Sequence, residues 1–131
     1  MKWFDLADGN EKIKFIFNNE LSLEDVELKK LIFNDISSIR LYFIIKNIPK
    51  TIPEKWKKRE FNALYLTLRC MGIYKSTLRG NSIGFTCSPI INKADDGVQI
   101  TIDNNNGFYL SCVADIFHIE SIEPYLDERW K

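Results

Sequence analysis

The chain has 131 residues, 45% of them hydrophobic and 27% charged, and its formal net charge is zero. That balance excludes a disordered chain and fits one domain with a real hydrophobic core. The longest unbroken apolar run, Leu41 to Ile45, is too short to cross a bilayer as a helix, and the N-terminus carries Asp5 and Asp8 without an apolar stretch of signal-peptide length, so a cytosolic protein is expected.

In chain order, the first ambiguous stretch begins at Ser22, where Glu24 and Asp25 follow as they do at a helix start running to Leu31. The same residues fit a strand in which a bulge separates Val26 and Leu28 from the Leu31-Ile32-Phe33 run, and the strand is preferred. From Ile39 to Lys46, Ile39, Leu41, Phe43 and Ile45 alternate with Arg40, Tyr42, Ile44 and Lys46. Residues 49–60 hold two prolines and a dense charge cluster, which predicts a long connection in which Pro53 opens a short helical turn. Between Phe61 and Cys70, Leu64, Leu66, Leu68 and Cys70 alternate with Ala63, Tyr65, Thr67 and Arg69. The same period of two recurs at Val98 to Asp103, at Phe108 to Val113 and at Phe117 to Glu120. Strands produce this pattern and helices do not. Met71-Gly72, Gly80-Asn81, Asp96-Gly97 and Asn106-Gly107 punctuate the runs, and the Asp103–Gly107 segment reads as a hairpin tip. Pro124 to Lys131 reads as a short tail or one helical turn. The expected fold is a single mainly β domain over residues 1–131, an antiparallel meander forming a small barrel or a two-sheet sandwich with little helix.

The neutral total hides an uneven distribution of charge. Residues 1–28 hold 3 basic and 7 acidic side chains, residues 29–93 hold 13 and 3, and residues 94–131 hold 2 and 8. If folding keeps these blocks on separate faces, the resulting dipole steers a charged partner at low salt. If strand pairing interleaves them, the surface is an ordinary mixture of signs, which is the plainer expectation.

Reactive chemistry is hard to assemble from these residues. Cys70, Cys87 and Cys112 share no ligand-like spacing and each lies in an apolar or alternating segment, as reduced, buried thiols do. His118, the single histidine, falls on the opposite face from Phe117 and Ile119, and no motif nominates a nucleophile for it. Asp95-Asp96-Gly97 with Asp103 lacks calcium-loop spacing, and Gly80 and Gly84 lack the lysine and helix of a phosphate loop. No catalytic residue, metal or cofactor is therefore expected. Lys55, Lys57, Lys58 and Arg59 surround Trp56 as in a nucleic-acid site, but Glu54 and Glu60 flank them and the chain is neutral. A tryptophan in such a loop more often folds back over the end of a barrel.

From Pro49 to Gly80 the chain reads Pro53-Glu54-Lys55-Trp56, then Phe61-Asn62, the alternating leucines, Gly72-Ile73 and Leu78-Arg79-Gly80. This segment resembles the immunity protein 50 family of bacterial polymorphic toxin systems in its P-x-K-W loop, its following F-N pair and its glycine-led next strand. The resemblance extends more weakly to the strand before the loop and to Ile119–Tyr125. It implies a mostly β cytosolic protein, without catalytic residues, that binds and neutralises a cognate toxin domain. Among the motif residues Pro53, Lys55, Trp56 and Asn62, the expected roles are structural, with Trp56 anchoring the loop and Asn62 bonding its exit. The candidate partner-binding residues are the acids Asp95, Asp96, Asp103, Asp115, Glu120 and Glu123, which would meet a basic toxin cleft. The alternatives are a β-barrel module for nucleic acid or a small ligand and, behind it, an unrecognised hydrolase.

Overall fold

The computed structural model describes the backbone of residues 2–18, 20–35 and 37–130, and their side chains except at positions 12, 16 and 130. Seven strands form one antiparallel sheet: β1 (Val26–Asp35), β2 (Ser38–Ile45), β3 (Ala63–Arg79), β4 (Thr86–Cys87), β5 (Ile90–Ala94), β6 (Gly97–Asp103) and β7 (Tyr109–Tyr125). Their spatial order is β4-β1-β2-β3-β7-β6-β5. Two meanders, β1-β2-β3 and β5-β6-β7, thus join side by side through the long β3–β7 pair.

The alternation seen in the sequence sets which face is buried. Ile39, Leu41, Phe43 and Ile45 of β2 stand directly opposite Cys70, Leu68, Leu66 and Leu64 of β3, and all eight are buried. Each such Leu, Ile or Phe contributes about 1.5–3 kcal/mol by leaving water. Arg40, Tyr42, Tyr65 and Arg69, one residue out of phase, stay partly exposed on the other face. β1 carries the expected bulge, with a register shift between Leu28 and Lys30.

The mainly β, antiparallel character with little helix is as expected, but the sheet is a single open one that neither closes into a barrel nor divides into a sandwich. It comes close to closing. β4 and β5 lie at opposite edges of the sheet, yet only Ser88 and Pro89 separate them, so Cys87 and Ile90 are at most about 11 Å apart. β4 is two residues long, and Pro89 has no N–H with which to extend a ladder across the gap.

An N-terminal segment that shows no strand periodicity completes the core. A 3-10 turn (Trp3–Leu6) and a π-helical turn (Lys12–Ile16) bring Phe4, Ile13 and Phe17 into the buried cluster. The indole Nε1 of Trp3 donates to the carbonyl of Leu21 at 2.8 Å. Asp8 pairs with the part of β7 that β6 does not reach: its N–H donates to the Phe117 carbonyl, and its carbonyl accepts from the Ile119 N–H, both at 2.8 Å. The next residue, Gly9, has φ +82°, and a Cβ there would lie 2.9 Å from the Ile119 carbonyl oxygen, so only glycine fits that approach.

Three sequence expectations shift. Met71-Gly72 does not end a strand, because β3 continues to Arg79. The Phe108 and Phe117 runs are one strand, β7. Pro124 lies within β7 opposite Leu64, and the helical turn begins later, at Glu128–Trp130, with Lys131 outside the described residues.

Candidate functional site

Cys70, Cys87 and Cys112 are free and buried. A hydrogen bond to Cys112, reinforced by burial, raises the Cys70 pKa, and burial pushes the Cys87 thiol up to about 12. Both are neutral thiols at physiological pH and poor nucleophiles. His118 sits opposite Arg69 on the partly exposed face of the β3–β7 pair. Among the described residues, no three His, Cys, Asp or Glu side chains are grouped to hold a metal ion.

The motif loop is built around Trp56. Pro53 precedes a 3-10 turn, Glu54–Trp56, that carries the indole inward to 7% exposure. Its ring packs against Phe17 at 5.6 Å and edge-on against Phe61 at 6.4 Å between centroids. At 7% exposure the indole offers only a small part of its surface for base stacking, the main support for a nucleic-acid module. Lys57 pairs with Glu54 at 2.7 Å, while Lys55 and Arg59 stay exposed. Asn62 bonds not to its own loop but to the C-terminal segment. Its Nδ2 donates to the Asp127 carbonyl at 3.0 Å, and its Oδ1 accepts from the Asp127 N–H at 2.7 Å.

The six candidate acids do not form one face. Glu120 is the extra residue of a bulge on β7, between Ile119 opposite Leu68 and Ser121 opposite Thr67. It accepts two hydrogen bonds from Arg40, at 2.8 and 3.0 Å. Those bonds hold its pKa below the usual carboxylate range, helped by the charges of Arg40, Arg69 and His118. Glu123 borders a groove that also contains Lys55 and Arg59. Asp103 lies at the far end of β6, where its Oδ1 accepts from the Asn105 N–H at 2.9 Å and shapes the hairpin tip. These three are spent on local structure or sit beside cations.

Asp95, Asp96 and Asp115 do come together. Asp95 and Asp96 form the two-residue turn between β5 and β6. Gly97 follows, and a Cβ built on it would stand 2.1 Å from the Ala114 carbonyl oxygen, so a side chain there would push the hairpin off β7. Asp115 is the next residue of β7, and its Oδ2 lies 2.8 Å from where a Cβ on Gly72 would be. The fourth member is Tyr74, which alternation alone did not single out. β3 shifts register between Ile73 and Lys75, so Tyr74 is the unopposed residue of a second bulge and stands 54% exposed. Bulges re-aim side chains in this way. Tyr74 shares a depression with Asp95, Asp96 and Lys75. Partial desolvation and then the charges of Asp96, Asp115 and Asp95 raise its phenol pKa. Among the described residues, none of the three carboxylates has a cation within ion-pair distance.

Tyr74 and the three carboxylates of Asp95, Asp96 and Asp115 thus gather on one exposed part of the sheet. Residues 9–125 match the family described as Immunity protein 50, and the chain belongs to that family of toxin-system immunity proteins. Comparisons with curated proteins and with solved structures give no significant match. Among the described residues, no helix is long and apolar enough to cross a membrane.

Proposed function

We propose that this chain is a non-enzymatic immunity protein that binds and neutralises a cognate toxin domain of a bacterial polymorphic toxin system, in the cytosol of the cell that makes the toxin. Family membership supports the immunity role. Three buried thiols without disulfides suit a reducing compartment. The observation that carries the binding surface is the gathering of Asp95, Asp96 and Asp115 around the outward Tyr74. Three unpaired carboxylates attract a basic cleft from a distance, and a tyrosine supplies a large contact at low entropic cost once there. Asp103, Glu120 and Glu123 contribute to the field but are not the contact.

The test is co-expression with the toxin domain encoded beside this gene. Restored growth together with a stoichiometric complex on purification supports the reading. Restored growth with chemically altered toxin and no complex would replace it with an enzymatic one.

A further inference from the structure

The chain carries two surfaces that complement each other. One is the Tyr74 knob with Asp95, Asp96 and Asp115 around it. The other lies between the motif loop and the end of β7. It is a groove of about 560 Å³ with apolar walls from Pro53, Trp56, Ile122 and Pro124. Lys55 and Arg59, both exposed and both without an ion pair among the described residues, border it. Glu123 also borders the groove and Lys75 borders the knob, leaving one net positive and one net negative surface.

The two lie far apart on one copy. The groove adjoins the Ala63–Tyr125 end of the β3–β7 pair, and the knob surrounds Gly72, nine residues further along β3. At a strand rise of about 3.3 Å per residue, that is roughly 30 Å along the strand. The knob cannot reach the groove of its own chain. A second copy can offer both.

We infer that the free protein pairs with a second copy of itself, the Tyr74 knob of each entering the Trp56 groove of the other. Each copy has one knob and one groove, so a two-fold arrangement engages both contacts at once and closes. Zero net charge, with an isoelectric point near 6.6, removes the general repulsion that would oppose the pairing at neutral pH. The contact is weak and salt-sensitive, since its ion pairs are solvent-exposed. It covers the same acids that the proposed function assigns to the toxin, so the pair is the resting form and toxin binding dissolves it.

Sedimentation equilibrium tests the inference without any toxin. At about 0.01 M salt, where the Debye length is about 30 Å, the mass should approach twice that of the chain, and at about 1 M salt, where it is about 3 Å, the mass should fall to that of one chain. Asp95→Lys with Asp96→Lys, or Lys55→Glu with Arg59→Glu, should each leave the protein monomeric at low salt. All four substitutions together should restore the pairing, because the signs are exchanged and the fit is kept. All four positions are exposed, and circular dichroism verifies folding. A monomeric wild type at low salt, a mass unaffected by salt, growth beyond twice the chain mass, or failure of the fourfold exchange to restore pairing would each overturn the closed pair.

Discussion

Asn62, the residue before β3, holds the backbone of Asp127, beyond the end of β7, through two hydrogen bonds of 3.0 and 2.7 Å. The same residue donates its own N–H to the Tyr125 carbonyl at 3.2 Å. One side-chain amide thereby ties the exit of the motif loop to the C-terminal segment. That segment turns back at the 3-10 turn Glu128–Trp130, from which Arg129 reaches Glu27 on β1 at 2.8 Å.

Asn62→Ala removes both side-chain bonds and leaves the Asp127 backbone groups without partners. The expected cost is about 1–3 kcal/mol, read from urea unfolding, with faster hydrogen exchange confined first to the C-terminal segment.

Trp56→Ala empties the space between Phe17 and Phe61 and should cost about 3–5 kcal/mol. Trp56→Phe should retain most of that stability, and Lys55→Ala should change it by no more than about 0.5 kcal/mol. Thermal unfolding of the three variants separates the loop's anchor from its exposed neighbour.

Acid should weaken the fold through Asp127. Arg129 holds this carboxylate with bonds from Nε and Nη2, and its pKa falls from the ordinary 3.8 to about 2. Because the folded form binds its proton less readily than the unfolded form, the stabilisation is complete above the unfolded pKa and is lost as pH falls through about 4 toward 2. Glu120, also lowered, by its bonds from Arg40, acts in the same direction. Urea midpoints compared at neutral pH and through this acid range should fall more steeply for the wild type than for Asp127→Asn.

Gly97→Ala places a methyl group into the Ala114 carbonyl of β7. Relief requires β6 to shift, at an expected cost of about 1–3 kcal/mol. Amide signals of the Asp95-Asp96 turn should move while those of β2 do not.

How far the sequence reveals this protein follows from which interactions are local. The alternation through β2 and the first part of β3 is a one-strand property, so it forecasts the burial of Ile39, Leu41, Leu66 and Leu68. The bulge in β1 was legible because Val26, Leu28 and Leu31 fall out of phase. Gly72 looked like a strand end because glycine permits a turn, but here its φ of +67° lies within a continuous strand. Closure also depends on pairing between distant segments, and nothing local forecasts that the sheet stays open beside Pro89. For the surface, acidic composition nominated six residues, but only tertiary placement distinguishes Glu120, neutralised by Arg40, from Asp115, left unpaired. Tyr74 joins them through a register shift whose cause lies in how β3 meets β7.

The central claim, that the toxin is met by the acidic surface around Tyr74, is tested most directly by association kinetics with the purified toxin domain. Reversing Asp95, Asp96 and Asp115 to lysine, with folding verified by circular dichroism, should lower the association rate at low salt by at least about tenfold and flatten its dependence on ionic strength. An association rate and salt dependence equal to those of the wild type would contradict the account.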